Sequence, residues 1–356
     1  MAWFLDYLRV LMWNIIFTLA MRYCFDHGVI YNVEENSFME IVFAALIPTR
    51  HRPESLRVCL DAIYRNGVGP VITIVGDDST DTECIQKNQK IVSMFCNCFY
   101  FPGKCKGPSQ NRKDLVDKLL LLNENNRFGI SHVAFVDDDI IISSKWFESA
   151  SKFLYEDNAR IPAENHIIYG PIVSSFDADN ELLQLYRLTF LGHFNASFDG
   201  MTSCVNIQAA IFPLALFRKE NFDPNIMFGY EDVDLCNRAI YQGFILDCVI
   251  SMKAVDTLCG ISSLAEGGVQ FSALNLQIES ARLYVTFKKY LCIEKSKFKA
   301  YYFFVIFFLH LIAHLVKTRN SIANAFLIYK KSKVWLTLKC SSHETRNRNS
   351  NIRGQS

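Results

Sequence analysis

Three aspartates stand side by side in the sequence, Asp137, Asp138 and Asp139, directly after the apolar stretch HVAFV at 132–136. Neighbouring carboxylates raise one another's pKa, so ionising all three is costly unless something compensates their charge. A divalent cation compensates it well, because Mg²⁺ and Mn²⁺ prefer oxygen ligands and complete their coordination with phosphate and water. If strand alternation continues through the three, Asp137 and Asp139 point to one side and Asp138 to the other. The pattern therefore predicts a metal–diphosphate site in preference to a purely structural acidic turn.

A second acidic cluster lies in the stretch FGYEDVDLCNRA at 228–239. Glu231, Asp232 and Asp234 open a predicted helix, whose N-terminal dipole stabilises anions. Helix capping accounts for one or two of these acids, but not for the glycine and aromatic residues that precede them. A carboxylate held at such a helix start, beside a substrate pocket, can act as a general base toward a hydroxyl group.

Short apolar stretches alternate with amphipathic stretches from residue 41 onwards. Pro53 suits the start of the first helix, and another helix is expected after a polar turn near residue 107. This alternation predicts βαβ units and a largely parallel sheet with flanking helices, an α/β fold. The predicted strands are 41–47, 71–76, 96–101 and 132–136.

Polar residues follow three of these strands, at 49–52, 77–81 and 137–139. In open α/β sheets, ligands bind in the crevice beyond the carboxyl ends of the strands. Three strands that present such residues at one sheet edge indicate a ligand site there more strongly than any one motif does.

Composition excludes several classes of protein. The chain has 356 residues, half of them apolar, and a formal net charge of +1, which indicates a globular protein and gives no reason to expect nucleic acid as a partner. Twelve cysteines occur without a C-x-x-C spacing, so a zinc knuckle is not expected. Reduced thiols in a cytosolic protein are the favoured interpretation.

Two strongly apolar segments raise the question of a membrane. The N-terminal segment 1–40 contains a clean run, 10–21, that is shorter than a span needs, so it is expected either to lie in the membrane interface or to pack on the domain. The run 300–316 is borderline for spanning and includes His310 and His314. From Lys288 to Lys339 there are eleven Lys/Arg residues and one acid, which favours a helix lying on anionic lipid over a buried C-terminal helix.

Five motifs in order carry a family resemblance: AALIPTRHRPESLRVCLDAI, ITIVGDDSTD, GPSQNRKD, FVDDDI and FGYEDVDLCNRA. The set resembles the inverting, nucleotide-sugar-dependent glycosyltransferases of family 2, which have the GT-A fold. The resemblance covers roughly residues 41–290. It implies a GT-A type, Rossmann-like sheet that binds a nucleotide-sugar, with a UDP-sugar favoured, together with Mn²⁺ or Mg²⁺.

The resemblance also implies roles for individual residues. Asp232 would be the catalytic base, with Glu231 as its neighbour or as an alternative base. Asp137 and Asp139 would be the outer acids of a D-x-D metal motif, with Asp139 the direct ligand. The residues implied to bind the nucleotide-sugar are Pro48, Thr49, Arg52, Asp77, Asp78, Asn111, Arg112 and Asp138.

The sequence departs from the family pattern at two places. Asp78 and Ser79 stand where many relatives have a glycine after the second strand. Where many relatives have a histidine ligand after the helix that begins at Glu231, this chain offers Asp256, a candidate third metal ligand.

The sequence-based expectation is therefore a glycosyltransferase domain at 41–290, a basic and aromatic helical region at 291–340 that associates with a membrane, and a disordered tail at 341–356. The acceptor of this enzyme would be a saccharide or a lipid-linked molecule that docks near 175–200. The reaction would belong to cell-surface polysaccharide or glycan synthesis. The location would be cytoplasmic, peripheral on the inner membrane face, with a single span as the alternative. A sugar-nucleotidyltransferase and an inactive, glycosyltransferase-like membrane scaffold are the alternative functions.

Overall fold

The computed structural model describes residues 41–157, 160–174, 186–196, 202–257 and 272–338. The predictions for the N-terminal segment 1–40 and for the tail 341–356 lie outside these residues, as does most of the predicted acceptor segment 175–200. Within them, the predicted α/β class is confirmed: helices flank a large, mostly parallel sheet, and a helical extension follows it.

The described residues form one seven-stranded sheet and two small sheets. The large sheet has the order β11-β6-β10-β4-β1-β2-β3, in which β10 is antiparallel to both of its neighbours and the other adjacent strands are parallel. The strands are β1 (Phe43–Thr49), β2 (Ile72–Asp77), β3 (Cys98–Pro102), β4 (His132–Val136), β5 (Ile140–Ile142), β6 (His166–Tyr169), β7 (Ile172–Ser174), β8 (Tyr186–Leu188), β9 (Phe194–Ala196), β10 (Ala209–Pro213), β11 (Ile245–Cys248) and β12 (Ala254–Asp256).

Helices connect and flank these strands. The α-helices of the described residues are α1 (Pro53–Tyr64), α2 (Thr82–Val92), α3 (Pro108–Leu122), α4 (Trp146–Asp157), α5 (Leu214–Phe217), α6 (Glu231–Tyr241), α7 (Ala273–Lys288), α8 (Lys297–Lys317) and α9 (Ala323–Ser332). Short 3₁₀ helices occupy Glu124–Asn126 and Ala163–Asn165, and a π-helical turn, Lys289–Ile293, joins α7 to α8. Both α1 and α3 begin with proline, whose fixed φ suits the first helical position.

The core lies on both faces of the large sheet because successive strand residues point to opposite sides. In β1, Ala44 and Leu46 contribute to one apolar cluster, which includes residues of α3 and α6. Phe43 and Ile47 contribute to the other, which includes residues of α1 and α4. Strands buried on both faces read as continuous apolar runs, and this is why the run at 41–47 predicted the first strand.

A buried ion-pair network joins α7 to α6. Lys288, near the end of α7, lies 2.8 Å from Asp234 and 2.7 Å from Asp223. Asp234 also accepts from Arg238 at 2.8 Å. Burial raises the pKa of Asp223, but Lys288, the backbone amide of Asn225 and the hydroxyl of Tyr284 together lower that pKa to about 2. The network therefore fixes α6, the helix that begins with the predicted catalytic acids, against the C-terminal helices.

Candidate active site

A cleft of about 260 Å³ opens at the carboxyl ends of β1 and β4, which are neighbours in the sheet. Most of the predicted nucleotide and metal residues meet there, as the rule for parallel sheets requires. The predicted residues that line the cleft are Pro48, Thr49, Arg52, Asp78, Asn111, Arg112, Asp137, Asp138 and Asp139.

The three aspartates form a turn after β4 instead of continuing the strand, with the amide of Ile140 donating to the carbonyl of Asp137 at 3.1 Å. The predicted alternation of their side chains is therefore wrong. Asp138 and Asp139 both accept hydrogen bonds from one nitrogen of Arg52, at 3.1 and 2.7 Å. In a strand, neighbouring side chains point to opposite faces, whereas in a turn they can point the same way. The side chains of Asp138 and Asp139 can therefore both contact Arg52.

Asp138 is the most enclosed of the three. Its side chain is 5% exposed and accepts from the hydroxyl of Thr49 at 2.7 Å as well as from Arg52. Burial, reinforced by the carboxylates of Asp139 and Asp137, raises the pKa of Asp138 to about 7 despite these two donors. Asp138 thus ties the aspartate turn to the end of β1.

Arg112 bridges the two acidic motifs. Its guanidinium donates to Glu231 at 2.7 Å and to Asp137 at 2.6 Å, and its side chain is only 4% exposed. The arginine therefore connects the end of β4 to the start of α6. It fixes the predicted catalytic helix beside the cleft and compensates the buried carboxylate of Glu231 and the partly buried carboxylate of Asp137.

Asp232 follows Glu231 at the start of α6. One of its oxygens accepts from the amide of Val233 at 2.7 Å. Burial, together with the charge of Glu231, raises the pKa of Asp232 to about 7. A carboxyl group with such a pKa can take a proton near neutral pH, which a surface aspartate does poorly.

Asp77 and Asn111 make contacts that hold the framework of the site. Asp77 accepts from the amide of Ser79 and from the side chains of Asn88 and Tyr100, each at 2.8 to 2.9 Å, and it does not line the cleft. Asn111 lines the cleft while its amide nitrogen donates to the carbonyl of Gly76 at 2.9 Å.

Asp78, also in the cleft wall, accepts from the amide of Cys105 at 3.0 Å. Burial raises the pKa of its carboxyl group above the usual range.

The three predicted metal ligands do not form a complete site by themselves. Among the described residues, no three His, Cys, Asp or Glu side chains converge so that they could hold an ion. One oxygen of Asp139 is nevertheless buried without a hydrogen-bond partner in the described part of the chain. Strand pairing sets Asp256 opposite Ile140, next in sequence to Asp139. This arrangement fits Mg²⁺ or Mn²⁺, which commonly bind one or two carboxylates and take their other ligands from phosphate and water.

Four residues of the cleft wall had been given no role of their own from the sequence: Arg50, which lies in the polar segment 49–52, and Gly107, Pro108 and Phe228. Each lies within or beside a motif that was recognised. Gly107 has a φ of 95°, and a Cβ there would lie 2.3 Å from the carbonyl oxygen of Met227. The glycine thus lets the loop before α3 lie directly against the loop before α6. The glycine in GPSQNRKD was the signal that could have revealed this contact.

No protein-family model matches the chain, and no curated protein matches it. Among solved structures, S. aureus TarS is similar to this chain, with a TM-score of 0.48 and 14% sequence identity. The similarity covers 77% of this chain and 44% of the TarS chain. Residues 1–349 of TarS in complex with UDP give a TM-score of 0.47 at 14% identity, over 78% of this chain and 72% of that one. The same part of TarS in complex with UDP-GlcNAc gives 0.46 at 14% identity, over 78% and 73%.

Proposed function

We propose that this protein is a cation-dependent, inverting glycosyltransferase that moves a sugar from a nucleoside-diphosphate donor to a hydroxyl group of a saccharide or lipid-linked acceptor. One observation carries the proposal. The cleft at the ends of β1 and β4, which is lined by most of the predicted nucleotide and metal residues, is tied by Arg112 to the helix that begins with Glu231 and Asp232. The cleft proposed to bind the donor and the helix start proposed to accept the proton are therefore held together by Arg112.

In this proposal the chain's own residues bind, orient and accept a proton. Asp232 takes the proton of the acceptor hydroxyl, whose oxygen then bonds to the anomeric carbon from the face opposite the diphosphate. The bond from that carbon to the diphosphate oxygen breaks, and the nucleoside diphosphate leaves with both electrons. Arg112 keeps Glu231 ion-paired, so Asp232 is the carboxylate of the pair that remains available as base.

Asp139 would hold the cation through its unpaired oxygen, with phosphate and water as further ligands, and the cation would neutralise charge on the departing diphosphate. The donor is proposed to be a UDP-sugar. Thr49 and Arg52 orient Asp138 and Asp139 toward the cleft, so these contacts preorganise the diphosphate side.

Nucleotide release tests the proposal. UDP-glucose, UDP-galactose and UDP-GlcNAc would be incubated with the protein and Mn²⁺ or Mg²⁺, and released UDP measured. Asp232→Asn should lower turnover about 10²–10⁴-fold and leave UDP affinity unchanged, because it removes only the base. Asp139→Ala should weaken UDP binding in Mn²⁺ about tenfold or more and should abolish the difference between Mn²⁺ and EDTA.

Asp61→Asn is the matched control, since Asp61 lies on α1 in an exposed ion pair. It should behave as the wild type. If no donor is turned over, or if Asp232→Asn and Asp139→Ala both match Asp61→Asn, the proposed function is wrong.

The C-terminal helices support membrane association as part of this function. Among the described residues, α8 has the length and apolar composition to cross a membrane. One of its faces is buried, where Phe303, Phe307 and Leu311 belong to a cluster with residues of α7. The other face exposes large apolar side chains, including Val305 and Leu309, which are 55% and 61% exposed. A helix packed on one side, apolar on the other and flanked by lysines suits the interface of an anionic bilayer.

Cosedimentation with vesicles tests this part. Val305→Glu/Leu309→Glu should reduce binding to vesicles that contain phosphatidylglycerol, because two charges would enter the apolar boundary. Leu121→Glu, at a leucine of α3 that is 62% exposed, is the control and should bind as the wild type does. Equal binding by the double variant and the control would contradict interfacial docking of α8.

A further inference from the structure

A second cleft, of about 270 Å³, lies outside the site described above. Its walls come from the turn between β8 and β9 and from α7 and α8. The turn contributes His193, α7 contributes Asn275 and Glu279, and α8 contributes His310 and His314, one helical turn apart. These residues have no role in the proposed mechanism.

The cleft presents several polar side chains on a largely apolar wall and has little net charge. Arg282 is 3% exposed and is ion-paired with Glu279, so their charges compensate each other. Arg282 also contacts Nε2 of His193 at 3.0 Å. Since a guanidinium can only donate, this nitrogen is the acceptor and His193 is neutral with its proton on Nδ1. Burial and the nearby charge of Arg282 also lower the pKa of His193, which favours its neutral form.

The cleft adjoins the start of the predicted catalytic helix. Tyr230, which directly precedes Glu231, donates its hydroxyl to the carbonyl of Gly192 at 2.8 Å, next to His193 in the cleft wall. Tyr230 has a φ of 64°, unusual for a bulky residue, so its ring and hydroxyl contacts hold a strained backbone in place. Gly229 also lies close to the cleft, since a Cβ added at Gly229 would be 3.7 Å from the side chain of Ile278 in the cleft wall.

The chemistry of the walls selects the class of ligand. Among the described residues these histidines and Glu279 are not placed to hold a metal ion together. An anionic ligand would meet the carboxylate of Glu279. A neutral polyhydroxy compound can instead donate to Glu279 and both accept from and donate to the imidazole and amide groups. The volume is just below the roughly 300–1,000 Å³ of pockets for drug-sized ligands, which fits a single sugar ring.

We propose that this cleft binds a neutral sugar unit of the acceptor. The proposal rests on the proposed function, because a sugar held here would lie beside the helix whose first residues include the catalytic base. His310 and His314 are exposed on α8 and can be replaced without opening the core.

Saturation-transfer NMR on the full chain tests the proposal. The probes are methyl β-glucoside, methyl β-galactoside and methyl β-N-acetylglucosaminide, with UDP binding in Mn²⁺ measured in parallel. His310→Leu/His314→Leu should weaken glycoside binding about tenfold or more, because two hydrogen-bonding groups are lost. His310→Gln/His314→Gln keeps a donor and an acceptor at each position and should retain most of the binding. UDP affinity should be unchanged in both variants.

The outcomes separate this proposal from the proposed function. If UDP binds but none of the glycosides does, or if the leucine variant binds them like the wild type, the sugar site is wrong and the proposed function stands. If neither UDP nor any glycoside binds, the proposed function fails and this proposal fails with it.

Discussion

Arg112 is the residue whose loss should damage the structure most clearly. Its side chain is 4% exposed and pairs with Glu231, which is 8% exposed, and with Asp137, which is 20% exposed. Arg112→Met fills a similar space but leaves two carboxylates in a poorly solvated place without a cation. Removing one partner of a buried ion pair typically costs about 3–5 kcal/mol. We therefore expect Arg112→Met to lower the free energy of unfolding by about that amount.

Chemical and thermal unfolding followed by circular dichroism measure the effect. At roughly 2–4 °C per kcal/mol for large domains, the midpoint should fall by about 6–20 °C. Arg112→Met/Glu231→Gln should recover about 1–3 kcal/mol of the loss, because the second change removes one of the stranded charges.

Arg65→Met is the matched control. Arg65 is 76% exposed and lies 4.0 Å from Asp61, so its loss should leave the midpoint unchanged within error. If Arg112→Met costs no more than Arg65→Met, or if Glu231→Gln adds to the damage instead of relieving it, the bridge does not hold the two acidic motifs together.

Two further predictions follow from the site. Because the pKa of Asp232 is raised to about 7 and only its carboxylate accepts a proton, kcat/KM should fall tenfold per pH unit below about pH 7. Initial rates between pH 5 and 9 measure this, and an acidic limb centred near pH 4 would contradict it. Gly107→Ala should destabilise the fold by about 1–3 kcal/mol and weaken UDP binding, because alanine strains the positive φ and meets the carbonyl of Met227. Gly67→Ala, where a Cβ meets no atom within 4 Å, is the control, and equal unfolding midpoints for the two variants would rule out the close contact.

The residues that could be predicted from sequence are those fixed by local pattern. HVAFV predicted β4 because a buried strand is an uninterrupted apolar run, and the acids that follow it had to lie at the sheet edge. The same argument placed Thr49 and Arg52 beside these acids, because the carboxyl ends of the neighbouring parallel strands β1 and β4 lie together. The helix start at Glu231 followed from its apolar continuation and its acidic first turn.

Contacts between distant segments could not be predicted in the same way. Arg112 meets Glu231 across 119 positions of the sequence, and no local pattern distinguishes that pairing from contact with a ligand. The turn was missed because strand alternation was extended past Val136 through all three aspartates. Asp77 illustrates the same limit, since its partners Asn88 and Tyr100 belong to later elements.

The charge balance of the cleft connects these corrections to the proposed function. Three arginines and four aspartates line it, so their charges do not provide the net positive field that a diphosphate requires. Burial raises the pKa of Asp138 to about 7, and the carboxylates of Asp139 and Asp137 add to that rise, so Thr49 and Arg52 do not offset the combined effect. An anionic donor would add to this excess, whereas a donor that arrives with a divalent cation would relieve it. In the proposed function, the arginines make the aspartate turn tolerable in the free protein, and a bound cation would make it a binding site for diphosphate.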